Sequence, residues 1–214
     1  MKILKQFLLL FIILVFSACQ DKEPALILKP FPNNNSKEMV ANLKEMEEIL
    51  KKEIIPKVSP AKKAEFKEMF KAIKTAQQNA NSFFTNPQKM SYLTKINADI
   101  ALFYAGLHTD DFDVQVQIPS LLLISSVALE SFENKDSHLY QEESLKFAHD
   151  LVKRFPNQGR AYGALAHTLY YTNSENKDKC LKLYQRCFEL DEDAEYCKEA
   201  YHTIKSGTAD FKEK

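Results

Sequence analysis

Apolar residues recur along most of the chain at the three- and four-residue spacing of an α-helix. One such stretch runs from about 37 to 55 and ends at Pro56, while Ser59-Pro60 and Asn86-Pro87 supply a capping residue and a first-turn proline for two more. The apolar positions are Met39, Leu43, Met46 and Leu50, then Phe66, Met69, Phe70, Ile73, Ala76, Ala80 and Phe83, then Met90, Leu93, Ile96, Ile100, Phe103 and Leu107. They predict three antiparallel helices joined by short turns.

The segment from Ile118 to Leu129 has a different pattern, because it is apolar almost all round. A helix without a polar face is normally buried, and this one is too short to span a bilayer. We therefore expect it to be the central helix, with the flanking helices packed around it.

Residues 144–204 repeat a two-helix pattern in which small and large apolar residues alternate on one helical face. Its positions are Ser144, Ala148, Leu151 and Pro156, then Tyr162, Leu165, Ala166 and Leu169, then Cys180, Tyr184 and Cys187, and then Tyr196, Cys197, Ala200, Tyr201 and Ile204. The pattern resembles the tetratricopeptide repeat (TPR), whose period is about 34 residues and whose stacked helix pairs bury a shared core. The resemblance implies an all-α fold of antiparallel helix pairs, a TPR-like α-solenoid at 113–206 with an N-terminal helical extension at 37–112.

In proteins with these repeats, the first helix of each pair lines a concave groove. The resemblance places eight residues at groove positions: Arg160, Gly163, His167, Tyr170, Tyr171, Glu195, Lys198 and His202. Arg and Tyr are residue types that anchor interfaces, so the groove suits an extended peptide or an acidic segment as partner. The alternative is a solvated helix face that binds nothing.

The repeat segment also holds three cysteines, Cys180, Cys187 and Cys197. By the repeat register, Cys187 and Cys197 face each other across a turn between two helices, and the related Sel1-like repeats, which the segment also resembles, carry a bridge of this kind. The resemblance implies a Cys187–Cys197 disulfide, which closes a loop of about eleven residues and contributes ~3 kcal/mol. Cys180 is then a small buried residue. The alternative is that all three are reduced core residues.

The N-terminus has the organisation of a secretory signal. Lys2 and Lys5 precede an apolar run from Phe7 to Phe16, and Ser17-Ala18 lead to Cys19. This ending resembles a bacterial lipoprotein signal, with residues 1–18 removed and Cys19 lipidated; an ordinary cleaved signal is the alternative. Residues 19–36 contain three prolines and are expected to be a flexible tether. The resemblance implies lipid anchoring in the bacterial cell envelope, and Gln20 is compatible with the outer membrane.

Composition and motifs exclude several function classes. The 29 basic residues balance the 29 acidic ones, which gives no support for nucleic-acid binding. The sequence has no zinc-protease motif, nucleophile elbow or glycine-rich phosphate loop, and its five histidines are scattered. We expect no enzyme activity, no cofactor and no metal. The acidic loop from His108 to Asp113 is expected to be a helix end and a solvated turn, and residues 207–214 a polar tail.

These patterns favour a membrane-anchored lipoprotein whose TPR-like domain is a protein-protein interaction scaffold in the cell envelope, with an envelope protein or peptide as partner. Two alternatives remain open. One is an accessory lipoprotein of a substrate-binding transporter, which an apolar tunnel beside residues 118–129 would favour. The other is a subunit of the outer-membrane protein assembly machinery, a family that carries more repeats than are visible in this chain.

Overall fold

A computed structural model of the protein describes residues 36–207, and this region of the chain is built from helices. They are α1 Ser36–Ile49, α2 Pro60–Gln78, α3 Ala80–Phe84, α4 Pro87–Leu107, α5 Phe112–Gln115, α6 Ile118–Ser131, α7 Ser137–Arg154, α8 Gly159–Thr172, α9 Lys177–Leu190 and α10 Glu195–Ser206. No strand occurs within residues 36–207, so the prediction of an all-helical fold is confirmed for them. The predicted signal peptide, Cys19, the tether before residue 36 and the tail after residue 207 lie outside the described residues.

The prolines that open helices do so as the sequence predicts. Pro60 and Pro87 stand in the first turns of α2 and α4, and the side chain of Asn86 accepts a 3.0 Å hydrogen bond from the backbone N–H of Lys89. A proline fits a first turn because the N–H that it lacks has no partner inside the helix. α1 is extended by a π-helical turn, Leu50–Ile54, before the chain reaches Pro56.

The second predicted helix, however, is interrupted. The apolar stripe was expected to continue through Ala80 and Phe83, but α2 ends at Gln78, and a short separate helix, α3, carries these two residues. Asn79 breaks the helix with a ψ of 38°, and its side-chain amide bonds back to the carbonyl of Thr75 at 3.3 Å. Asparagine side chains compete with helical backbone bonding in this way. Phe83 still packs against the first core from its new position.

Two hydrophobic cores lie along the described chain. The first is formed by α1, α2, α4 and α6 around buried residues such as Phe66, Leu93 and Leu122, with the Phe66 ring edge-on to that of Phe103 at 4.6 Å. The second is formed by α8, α9 and α10 around Tyr184 and the cysteines. A small cluster of Val116, Leu151, Ala161 and Ala164 lies between α5, α7 and α8. Buried contacts therefore continue across the boundary predicted at residue 112.

From α6 to α10, the contacts between neighbouring helices are alternately more and less extensive. The most extensive contacts join α6 to α7 and α8 to α9, while those of α7 with α8, of α9 with α10 and of α4 with α6 are less extensive. α6 also contacts α8 directly. These helices therefore form two packed pairs, α6 with α7 and α8 with α9, whose first helices begin at Ile118 and Gly159, and α10 follows the second pair.

The central helix, α6, is less buried than its composition predicts. Leu122 and Leu129 are fully buried, but Ile124 is 45% exposed and Val127 39% exposed. The expectation of burial on all sides was therefore wrong for this one face, because α4, α7 and α8 surround only the rest of the helix. The stretch Phe112–Ser131 has the length and the mean hydropathy, 1.5, of a helix that could cross a membrane. Of its most apolar 18 residues, 61% are buried inside the protein.

Candidate functional site

A surface groove with a volume of about 410 Å³ opens where α6, α8 and α10 meet. It is lined by Val116, Gln117, Ser120, Arg160, Gly163, Ala164, His167 and Tyr196. Gln117 and Ser120 come from the start of α6, and Arg160, Gly163 and His167 recur along one face of α8 at helical spacing. Open clefts that combine apolar walls with a few polar groups are the usual form of a binding site.

Gly163 makes the groove possible, because it lets α10 approach α8 closely. A Cβ at this position would collide with the hydroxyl of Tyr196 and would stand 2.7 Å from the Sγ atom of Cys197. Gly159, about a turn earlier in α8, likewise permits close packing, since a Cβ there would stand 2.6 Å from the Cβ of Asp191. Tyr196 therefore rests across Gly163, and its hydroxyl lies 3.5 Å from the carbonyl oxygen of Arg160.

Arg160 reaches the groove with its charge already compensated. Its Nη1 donates a 2.7 Å hydrogen bond to the carboxylate of Asp113, and its guanidinium stacks over the ring of Phe112 at 5.4 Å. Both partners belong to α5, so Arg160 ties α8 to the chain that leads into α6. A ligand carboxylate would have to compete with Asp113 for this guanidinium.

The pKa shifts of the other two ionisable groups in the groove favour their neutral forms. Burial lowers the pKa of His167 below its ordinary value, which disfavours the imidazolium form. Partial burial also raises the pKa of Tyr196 to about 12, against the opposing effect of Arg160. The groove therefore offers hydrogen-bonding groups and aromatic surface, with little net charge.

The predicted groove residues divide between the groove and other places. Arg160, Gly163 and His167 line it, and Tyr171 is 38% exposed with its ring 6.1 Å from that of His167. Tyr170 instead packs against the second core.

The three predicted positions on α10 are not among the lining residues. Lys198 forms an ion pair with Glu195 at 2.8 Å and donates a 2.8 Å hydrogen bond to the carbonyl of Glu192. His202 lies on the same side of α10 as Lys198, with its ring 5.5 Å from that of Tyr201. Tyr201 itself packs edge-on against Phe188 of α9, 5.6 Å away. This side of α10 therefore borders α9 rather than the groove.

Sequence reasoning missed Tyr196, Gln117 and Ser120 as groove residues. The repeat pattern predicts Tyr196 as a packed position, but it is 46% exposed. The spacing of the buried residues in α10 could have indicated this. Cys197 and Ile204 are seven residues apart and fully or almost fully buried, so they define the buried face of α10, and Tyr196 lies to one side of it. Gln117 and Ser120 lie where α6 begins. The apolar run at 118–129 predicts a buried helix there and gives no indication of a surface groove.

The structure joins Cys187 and Cys197 in a disulfide, with the two sulfur atoms 2.01 Å apart. The bridge links the last turn of α9 to the first turn of α10, and both residues are fully buried. It thereby fixes the backbone beside Tyr196. Cys180 has a free thiol buried in α9, and burial raises its pKa to about 11.

Two acidic side chains of the segment from His108 to Asp113 have partners in the fold. Asp111 caps α5 by accepting a 3.2 Å hydrogen bond from the N–H of Val114, and Asp113 holds Arg160. Within residues 36–207, no group of three or more His, Cys, Asp or Glu side chains has an arrangement that could hold a metal ion.

Comparison with known proteins adds no assignment: no protein family, no curated protein and no solved structure matches the chain.

Proposed function

We propose that residues 113–206 form a TPR-like array whose groove between α6, α8 and α10 binds a segment of a partner protein, and that the protein acts as an interaction scaffold. The observation that carries this proposal is the groove itself: the first helices of two successive pairs, α6 and α8, and the helix that follows them, α10, contribute its walls. A stack of helix pairs exposes these helices side by side, which is how solenoid proteins build concave binding surfaces.

Small residues at the helix contacts support a repeat-like stack. Gly159 and Gly163 permit close approach of α8 to α9 and α10. Ser144 of α7 is fully buried, and its hydroxyl donates a 2.7 Å hydrogen bond to the carbonyl of Pro119 in α6.

Anchoring through lipid on Cys19 belongs to the same proposal. Its support is the N-terminal sequence, in which a positive start, an apolar run and small residues precede the cysteine. A lipidated chain with a tether would present the groove to partners in the bacterial cell envelope, and Gln20 is compatible with the outer membrane as its place. Radiolabelled palmitate should enter the parent protein and should be lost with Cys19→Ala; equal labelling of the two would contradict the anchor.

Ile124 and Leu139 offer a matched pair of variants for testing the scaffold. Both are exposed aliphatic residues, 45% and 51%, but Ile124 lies on the groove side of α6 and Leu139 lies on α7. The full chain should be purified from envelope extract after reversible crosslinking, as parent, Ile124→Asp and Leu139→Asp. We expect one partner protein with the parent and with Leu139→Asp, and recovery reduced at least about tenfold with Ile124→Asp.

The two alternative functions predict that other molecules are recovered with the protein. A co-purifying small molecule in place of a protein would favour the accessory transporter lipoprotein, and recovery of outer-membrane assembly subunits would favour the assembly machinery. Equal recovery of the partner with Ile124→Asp and Leu139→Asp would overturn the groove as the binding surface.

A further inference from the structure

An apolar stripe extends the groove along α6 and α8. Gln117, Ser120, Ile124 and Val127 are spaced by three, four and three residues, so they share one face of α6. On α8, Arg160, His167 and Tyr171 share a face in the same way. α6 and α8 are in contact and are separated in sequence only by α7, which packs against both, so they run in the same direction. Ile124, Val127 and Tyr171 therefore prolong the groove beyond its polar end.

The exposure of these three residues is unusual for the helices that carry them. Ile124, Val127 and Tyr171 are 45%, 39% and 38% exposed, whereas most apolar residues of α6 and α8 are buried. Single exposed apolar residues are ordinary, but a contiguous group beside a groove is typical of a site that another chain covers.

The charges around the groove restrict what that chain can be. Arg160 is the only permanently charged residue in the lining, and Asp113 already neutralises it at 2.7 Å. Lys198, which the repeat register predicts in the groove, instead pairs with the carboxylate of Glu195 and donates to the backbone carbonyl of Glu192 before α10. An acidic segment would therefore gain no unpaired cation and would be repelled by Asp113.

We infer that the groove binds a short extended peptide segment that is apolar and carries no net charge, with one side chain inserted beside Tyr196 and others along Ile124 and Val127. This inference rests on the proposed function and narrows the class of partner. From Gln117 to Val127 the helix rises about 15 Å, a distance that about five residues of extended chain would cover. Alternate side chains of such a segment would face the groove.

A random peptide library tests the inference with a defined probe. Twelve-residue display peptides should be selected on the immobilised full chain, as parent, Ile124→Asp and Leu139→Asp, with circular dichroism confirming that all three are folded. We expect the parent and Leu139→Asp to enrich peptides with Leu, Phe or Tyr at alternate positions and a mean net charge near zero. Ile124→Asp should lose at least about tenfold of this enrichment.

The affinity of the selected peptides should change less than about twofold between low and high salt, because no ion pair is formed with the groove. Selection of peptides rich in Asp or Glu, with strongly salt-dependent binding, would overturn the inference and leave the proposed function standing. Equal enrichment on all three proteins, or enrichment on none, would overturn both.

Discussion

The buried carboxamide of Gln115 accepts a 2.7 Å hydrogen bond from Nη2 of Arg154. The same carboxamide donates to the carbonyls of Ala105 at 2.7 Å and His108 at 3.0 Å, which lie at the end of α4. Arg154, in the last turn of α7, also donates a 2.9 Å hydrogen bond to the carbonyl of Thr109. One glutamine, 1% exposed, thus connects the N-terminal helices to the helix pairs that carry the groove.

Replacing Gln115 with Leu should therefore destabilise the whole described fold. The variant fills a similar volume but removes three hydrogen bonds, although the carbonyls of Ala105 and His108 still accept backbone bonds from His108 and Asp111. Each lost bond contributes about 0.5–1.5 kcal/mol, and the bond to the charged arginine about 1.5–3 kcal/mol. We expect the free energy of unfolding in urea to fall by about 2–4 kcal/mol. Gln185→Leu is the matched control, because that exposed side chain bonds only to Glu189 one turn away; its change should stay within about 0.5 kcal/mol. Equal losses in the two variants would contradict the role of Gln115.

The contact between Gly163 and Tyr196 gives a second prediction. Gly163→Ala places a Cβ against the Tyr196 hydroxyl and the Cys197 sulfur, and the disulfide prevents that sulfur from moving away. Overpacking of this kind costs about 1–3 kcal/mol. Gly106→Ala near the end of α4 meets nothing within 4 Å and should instead stabilise by about 0.5–1 kcal/mol, since alanine favours helix. Urea unfolding of the two variants should therefore give changes of opposite sign.

The cysteine pairing predicts a pattern of alkylation. When the unfolded, non-reduced protein is treated with iodoacetamide and digested, Cys180 should be modified, while Cys187 and Cys197 should appear as a linked peptide pair. In the folded protein Cys180 should react slowly, because burial keeps its thiol protonated. Changing Cys187 and Cys197 together to Ser should lower the free energy of unfolding by about 3 kcal/mol. Native Cys187 found free to alkylate would exclude the bridge.

Two carboxylates lie at the seam between α4 and α7, where Asp99 contacts Tyr140. Their contributions to the free energy of unfolding should change with pH in opposite directions. Burial raises the pKa of Asp99, against the 2.6 Å hydrogen bond from the Tyr140 hydroxyl and the charge of Lys95, while Glu65 and Asp136 also raise it. The charged Asp99 therefore opposes folding at neutral pH, and this penalty is relieved as the pH falls through the raised pKa. Asp99→Asn keeps the acceptor and should be more stable than the parent at pH 7, with a difference that shrinks on acidification.

Asp136 is the opposite case and serves as the control. Its pKa is lowered by a 2.6 Å ion pair with Lys95, so its contribution to stability is present at neutral pH and is lost as the pH falls through the lowered pKa. Asp136→Asn should therefore be less stable than the parent at pH 7 and should approach it in acid. Urea unfolding at several pH values measures both variants, and two pH profiles of the same sign would contradict this description of the seam.

Helical periodicity predicted the long helices, because burial of one face leaves a repeating pattern in the sequence, but it did not predict the short helix α5, Phe112–Gln115. It did not predict the break at Asn79, since local side-chain bonding decided that position within an otherwise continuous apolar stripe. It also did not predict that Ile124 and Val127 face solvent. When a helix is apolar on all sides, its sequence does not distinguish the face that stays exposed from the faces that are buried.

The groove was only partly predictable, for a related reason. Arg160 and His167 could be assigned from the repeat register of α8, which packs on both sides and tolerates little rotation. α10 packs mainly on α9, and its rotation is set by Cys197 and Ile204. That rotation brings Tyr196 to the groove and carries Lys198 and His202 away from it, an outcome that the spacing of the repeat alone could not give.

Site-specific photo-crosslinking in intact cells tests the central claim, that the face shared by α6, α8 and α10 is the binding surface. A photoreactive phenylalanine analogue would replace Ile124, Tyr171 or Tyr196 on the groove side, and Leu139 or Tyr92 elsewhere; all five side chains are exposed by 38% or more. We predict one shared adduct at the three groove positions and none at the other two. An adduct of equal yield at Leu139 or Tyr92, or none at the groove positions, would contradict the account.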